Sequence, residues 1–232
     1  MCADTSSSPM VKEQADKLRI TEIFYSLQGE SRSVGFPTVF IRLTGCPLRC
    51  GYCDTTYAFQ GGEWFSEEKI LEEVARLFGP DKTSKYVTVT GGEPLAQKNC
   101  QNLLKRLCDS GYMVSLETSG ALDVCTVDSR VIRVMDLKCP GSGESTKNHW
   151  ENIDCLTDQD QVKFVICDRG DYDWAKQVLN DYKLPERCEV LFSPVYKQLQ
   201  ARDLADWILE DKLAVRFQIQ LHKILWGEAQ GR

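Results

Sequence analysis

The chain reads as an α/β protein, a shortened and open TIM-like barrel, on three observations. Strand and helix patterns alternate from Arg19 onward, which predicts a mostly parallel sheet with helices outside it. Four polar motifs each follow a strand pattern, at the strand ends where active sites of such sheets collect. The 232 residues also fall short of the roughly 250 of a complete eight-unit barrel, and the helical patterns are too few to close one.

The opening MCADTSSSPMVKEQADK is polar and lacks the apolar stretch of a secretory signal. Residues 1–17 are therefore read as a tail, and 18–232 as a single domain. RITEIFY (19–25) and TVFIRLT (38–44) are alternating or apolar runs rich in Ile, Val and Phe, and read as strands. EEKILEEVARLF sets Ile70, Leu71, Val74, Leu77 and Phe78 on one helical face. Ser66 can cap that helix and Gly79-Pro80 stops it. KYVTVT is a strand running into Gly91-Gly92-Glu93-Pro94; QKNCQNLLKRLCDSG is a helix ending at Gly111, followed by the strand YMVSLE. RVIRVMDL and QVKFVIC are two more strands, separated by a polar stretch with Gly141, Gly143 and Asn148. A helix from about Asp171 to Tyr182, the strand CEVLFSP, a helix across ARDLADWILED and the strand AVRFQIQL complete the chain.

Composition narrows the function. With 42% apolar and 27% charged residues, the chain can bury a real core. A net charge of −6 argues against a nucleic-acid partner, which would need clustered Lys and Arg. No apolar run approaches the roughly 20 residues that span a bilayer. Without a signal sequence, a reducing cytoplasm is the expected setting of the 11 cysteines. Cys100 and Cys108 fall on a helical stripe and Cys167 and Cys188 at strand ends. These four, with Cys2, Cys125, Cys139 and Cys155, are read as free thiols.

Cys46, Cys50 and Cys53 are different, for GCPLRCGYCDT packs three thiols into eight positions. Three thiolates are one short of a closed zinc site and one short of the usual iron–sulfur set. Cys-x3-Cys-x2-Cys, with Pro47 and Gly51 favouring a tight wrap, can hold a [4Fe-4S] cluster and leave one iron open to a small molecule. The competing reading is a zinc knot closed by a distant cysteine or by His149. Arg42 also stands out. It is opposite in phase to Val39, Ile41 and Leu43, yet both phases of its strand look buried. An inward charge there needs a partner.

Cys-x3-Cys-x2-Cys with Tyr52 before the last cysteine, followed downstream by GGEP, resembles the radical S-adenosylmethionine enzymes. SLQGES, FIRLTGCPLRCGYCDT, TGGEP and LETSG narrow the resemblance to the 7-carboxy-7-deazaguanine synthases of the route to queuosine and related deazapurines. It covers roughly Arg19 to Trp226. The resemblance implies a barrel of the radical S-adenosylmethionine type and an enzyme, a carbon–nitrogen lyase. The reaction it implies is ring contraction of 6-carboxy-5,6,7,8-tetrahydropterin to 7-carboxy-7-deazaguanine with loss of ammonia. Its implied cofactors are a [4Fe-4S] cluster on Cys46, Cys50 and Cys53, S-adenosylmethionine, and Mg²⁺ on Thr55, with Thr56 as the confusable neighbour. S-adenosylmethionine is expected at Tyr52, Asp54, Gly92, Glu117, Ser119, Asp136, Leu137 and Lys138. Asp136 and Leu137 depart from the Ser-Pro-Lys of several relatives. Leu27, Gln28, Gly29, Arg42 and Thr90 are expected at the substrate, Arg42 clasping its carboxylate. Gln218, Gln220 and His222 on the terminal strand are expected to close over the pterin. The implied partners are a flavodoxin- or ferredoxin-type electron donor and a second copy in a homodimer. A radical-forming activase of a partner protein, or a non-catalytic iron–sulfur electron-transfer module, would need no such set of small-molecule contacts.

Overall fold

Nine strands pair into one open sheet among the described residues, 17–80 and 85–231 of the computed structural model. They are β1 (Lys17–Leu27), β2 (Pro37–Leu43), β3 (Glu63–Ser66), β4 (Tyr86–Gly91), β5 (Met113–Thr118), β6 (Ile132–Asp136), β7 (Gln161–Ile166), β8 (Glu189–Pro194) and β9 (Arg216–Phe217). The order across the sheet is β3-β1-β2-β4-β5-β6-β7-β8-β9. From β2 to β9 every pairing is parallel, and β1 runs antiparallel to both β2 and β3. The sheet does not close, as expected. Residues 1–16 of the predicted tail lie outside the described residues, and Lys17 belongs to β1 instead.

The helices α1 (Glu67–Phe78), α2 (Cys100–Asp109), α3 (Arg169–Tyr182) and α4 (Ala201–Asp211) follow β3, β4, β7 and β8, and α5 (Leu221–Trp226) follows β9; β5 and β6 are followed by segments without an α-helix. Ser66 caps α1, its hydroxyl accepting from the Lys69 amide at 3.3 Å, and Gly79 stops it at φ 70°. That left-handed turn suits glycine, which has no Cβ to clash.

The period of two along each strand sorts the two faces of the sheet. Val39, Ile41 and Leu43 of β2, Val87 and Val89 of β4, and Val114 and Leu116 of β5 enter one apolar core with Ile70, Val74, Leu103 and Leu104 from α1 and α2. Met135 of β6, Val162 and Phe164 of β7, and Val190 and Phe192 of β8 enter a second core with α3 and α4. The alternate residues Arg42, Thr90, Glu117, Asp136 and Lys163 face a cavity instead. Hydrophobic burial of one phase therefore places the polar phase inside the open barrel.

Two expectations are corrected. AVRFQIQL, read as a strand, gives the sheet only β9; the chain then leaves and turns into α5. Tertiary bonds decide this, because the Gln218 side chain both accepts from the Ser31 amide (3.0 Å) and donates to its carbonyl (3.0 Å), while the Leu221 amide donates to the Gly29 carbonyl (3.0 Å). Cys125 and Cys155, read as free thiols, form a disulfide with Cα atoms 5.3 Å apart. The loop after β5 and the 3-10 turn Trp150–Cys155 bring them together, a meeting of irregular segments that no local pattern announces. Cys100, Cys108, Cys139, Cys167 and Cys188 are free; Cys2 lies outside the described residues. The edge strand β3, only four residues long, is too short for its alternation to be read. No helix among the described residues is long and apolar enough to cross a membrane.

Candidate active site

The four motifs meet at one end of the parallel strands, around a cavity of about 590 Å³, within the range of small-molecule sites. The cysteine loop follows β2 and is stitched to its neighbours by backbone bonds. The Glu93 amide donates to the Gly45 carbonyl (2.8 Å), and the Gly51 amide donates to the Ser142 carbonyl (3.0 Å). A Cβ on Gly92 would run into that same Gly45 carbonyl, so only glycine lets the two loops touch. Glu93 is fully buried and its carboxylate accepts from Thr118 Oγ1 (3.0 Å), the Ser119 amide (2.7 Å) and Ser119 Oγ (2.6 Å). The third motif is thereby locked onto the second. Ser119 spends its hydroxyl proton inward on Glu93, so toward the cavity its oxygen can only accept.

Cys46, Cys50 and Cys53 are all free and all line the cavity. Burial pushes the thiols of Cys46 and Cys50 above their ordinary value, which a bound metal would reverse. Among the described residues no three acidic, His or Cys side chains converge tightly enough for a single metal ion. Three free thiols on one loop, all facing the same cavity, are the donor set of a cluster in which each thiolate takes a different iron. His149, one of the two candidates for a fourth ligand in the zinc reading, faces Glu151 at 3.3 Å and does not line the cavity.

Three buried polar atoms of cavity-lining residues have no partner among the described residues: Tyr52 Oη, Asp136 Oδ1 and Glu30 Oε1. Such orphans fit a polar ligand. Asp136 Oδ2 holds Lys138 Nζ at 2.9 Å and lies 3.7 Å from Lys163 Nζ. Burial alone would lower the pKa of Lys138, but Asp136 keeps it above its ordinary value. Leu137 is not brought to the cavity; its side chain is fully buried in the second core.

On the substrate side the structure commits Gln28 almost entirely. Its amide donates to Thr88 Oγ1 (3.1 Å) and Glu117 Oε1 (3.2 Å), and its carbonyl oxygen accepts from the Glu30 amide (3.2 Å). Its backbone groups bond Phe36 and Gly35. Thr90 Oγ1 donates to Glu117 Oε2 at 3.0 Å, so Glu117 becomes the acceptor that the whole group presents. Leu27, Gly29, Gln220 and His222 line the cavity, whereas Gln218 clamps the Ser31 backbone. Gly29 makes room for the His222 ring, which a Cβ there would strike. Arg42 has the partner its burial demanded, with Nε donating to Glu22 Oε1 at 2.7 Å.

Thr55 and Asp54 stand beside Cys53, with the Thr55 hydroxyl donating to Asp54 Oδ1 at 2.8 Å. Burial would raise the pKa of Asp54, yet Lys223 at 3.1 Å and the Thr55 hydroxyl hold it below its ordinary value. An ionised oxygen donor next to a hydroxyl suits Mg²⁺ chemistry. Thr55 lines the cavity; Thr56 instead starts the 3-10 turn Thr56–Phe59.

Sequence reading missed Glu22, Glu30, Tyr57, Lys163 and Lys223. Lys163 carried a signal, a lone charge inside the apolar QVKFVIC of a central strand. It meets Glu30 at 2.8 Å, and the pair is buried on both sides. Glu22 depends on strand register, Glu30 and Tyr57 on a loop and a 3-10 turn, and Lys223 on the terminal helix, placements that local patterns do not encode.

Residues 40–183 match the radical SAM superfamily. The chain is 42% identical over 223 residues to a Koribacter versatilis protein named 7-carboxy-7-deazaguanine synthase, covering 90% of this chain and 97% of that one. A Chlorobaculum tepidum protein of the same name is 42% identical over 218 residues, covering 92% and 97%. A third, from Methanospirillum hungatei, is 40% identical over 224 residues, covering 95% and 90%. Among solved structures, QueE from Escherichia coli superposes with a TM-score of 0.74 over 94% of this chain and all of that one, at 22% identity. That likeness is one of fold.

Proposed function

The chain belongs to the radical SAM superfamily and, within it, to the 7-carboxy-7-deazaguanine synthases, and from this premise we propose how its own residues divide the work. The substrate is 6-carboxy-5,6,7,8-tetrahydropterin, contracted to 7-carboxy-7-deazaguanine with loss of ammonia. Cys46, Cys50 and Cys53 hold a [4Fe-4S] cluster, and Tyr52, Asp54, Gly92, Glu117, Ser119, Asp136 and Lys138 surround S-adenosylmethionine. When bound, cluster and cofactor supply the hydrogen-abstracting radical; the protein supplies orientation and shielding. Arg42 takes the pterin carboxylate, Thr90 and Glu117 meet the ring, and Leu27 and Gly29 shape the wall against it. Thr55, with the substrate carboxylate, holds Mg²⁺.

The observation that carries this reading is the cavity itself, which joins the three free thiols to Arg42 and Glu117 in one space. A small carboxylated ring fits there; a protein segment reaching past α5 does not explain an inward-facing arginine. A flavodoxin- or ferredoxin-type donor and a homodimeric assembly complete the proposal, on the strength of the family's motifs.

The test is anaerobic reconstitution with iron and sulfide, followed by mass analysis of the product from pterin and cofactor. Cofactor cleavage with the pterin recovered intact would sink the assignment. Magnesium is tested in the same assay. Thr55→Ala should cut product formation and blunt its response to added Mg²⁺, with cluster content unchanged. If wild-type turnover ignores a chelator, or Thr56→Ala alone reproduces the defect, the magnesium site is misplaced.

A further inference from the structure

Strand β1 carries an irregularity whose effect falls on the cavity. Ile20 pairs with Leu43, and the next pairing is Glu22 with Arg42, so two steps on β1 match one on β2. Such a bulge turns the following side chains to the other face. Ile20 and Leu43 enter the apolar core, while Glu22 is swung to the face that Arg42 shares. Without the extra residue, Glu22 would point the wrong way. Thr21, the inserted residue, is anchored through its hydroxyl to Thr44 Oγ1 at 2.7 Å.

We infer that Glu22 is a positioning residue for the substrate carboxylate, gripping Arg42 so that one chosen edge of the guanidinium faces the cavity. This rests on the assignment of Arg42 above. Glu22 Oε1 accepts from Arg42 Nε at 2.7 Å and from Tyr57 Oη at 2.8 Å. Arg42 Nη1 donates to the Gly91 carbonyl at 3.2 Å. With Nε and one Nη1 hydrogen committed, the donors left are those of Nη2 and the second of Nη1, a pair spaced for a carboxylate. The rings of Phe24 and Tyr57 lie 6.0 and 5.9 Å from the guanidinium carbon and limit its swing. Glu22 does not itself line the cavity; it acts through Arg42.

By charge alone Glu22 would oppose a carboxylate ligand, so position and charge make opposite predictions. Glu22→Gln keeps an oxygen acceptor at the same reach and removes the charge. Glu22→Asp keeps the charge and withdraws the acceptor by one methylene. If position matters, KM for the carboxylated pterin should rise about tenfold in Glu22→Asp with kcat changed less than about twofold, and stay within about threefold of wild type in Glu22→Gln. Binding of a tetrahydropterin lacking the carboxylate should be equal in all three proteins, as should uncoupled cleavage of S-adenosylmethionine. A wild-type KM in Glu22→Asp overturns the inference, as does an equal loss for the carboxylate-free ligand, which would mark Glu22 as merely structural. Arg42→Ala separates the two levels of argument. If it discriminates against the carboxylated ligand while Glu22→Asp does not, only the positioning role falls. If Arg42→Ala shows no such discrimination, the assignment of Arg42 falls and the inference with it.

Discussion

Cys46, Cys50 and Cys53 differ from the other cysteines not in being thiols but in where their loop puts them. Gly45, at φ 100°, starts a wrap that glycine tolerates best, and the amide of Glu93 closes it from the loop after β4. Cys100, fully buried in the first core, behaves as a small apolar side chain. Replacing any of Cys46, Cys50 or Cys53 by Ala should abolish cluster assembly. Cys100→Ala should keep full iron and lose about 1 kcal/mol of stability, the usual cost of a core substitution. Iron and sulfide counts per chain are the measurement, and full iron in a triple-group variant would remove that cysteine from the ligand set. At this scale Ser119 and Gln28 line the same cavity, with much of their hydrogen-bonding capacity taken up by Glu93, Thr88, Glu117 and Glu30.

Elements rather than residues explain how the rim is held. The connection from β6 to β7 covers the cysteine loop, with Glu144 accepting from the Arg49 amide at 2.6 Å and Ser142 accepting from that of Gly51. The disulfide from Cys125 to Cys155 ties the far end of this connection to the loop after β5, across a sequence separation of 30. Closing a loop of that length restricts the unfolded chain by an amount worth roughly 3–4 kcal/mol in the chain-entropy account. Reductant should therefore lower the denaturant midpoint of the wild type. The double variant Cys125→Ser, Cys155→Ser should start from the lower midpoint and ignore reductant. Equal midpoints for oxidised and reduced wild type would show that the crosslink adds nothing.

Across the whole molecule, the loop after β1 is bound to the far half of the sheet by charges. Arg32 reaches Glu189 at 3.0 Å, but it is half exposed and such pairs contribute little. Glu30 and Lys163, 2.8 Å apart and both nearly out of solvent, matter more. Burial pushes Glu30 upward, and the charge and hydrogen bond of Lys163 outweigh it, leaving the folded pKa below the ordinary 4.5. The sign follows: the pair's contribution is present above the unfolded carboxylate value and fades as pH falls through the lower, folded one. Melting temperature measured against pH should drop below pH 4.5 in the wild type and less steeply in Glu30→Gln. Lys163→Met should cost about 3–5 kcal/mol at neutral pH, because it strands a buried carboxylate. A Lys163→Met protein as stable as wild type would show that the ion pair does not hold the loop.

Local pattern alone determined the strand and helix alternation, the caps of α1, and the motifs that gather on one rim. Each depends on residues close in sequence, through the periods of strands and helices or the conformational freedom of glycine. It also determined that Arg42 must have a partner, since an inward charge in a buried strand is untenable alone. What it could not determine was the partner. Glu22 reaches Arg42 only because a bulge of one residue resets the register between β1 and β2, and register is a property of two strands together. The same reason covers Lys163 with Glu30, the turn of FQIQL out of the sheet, and the pairing of Cys125 with Cys155. These contacts are chosen by three-dimensional proximity between distant segments, so only the tertiary structure decided them.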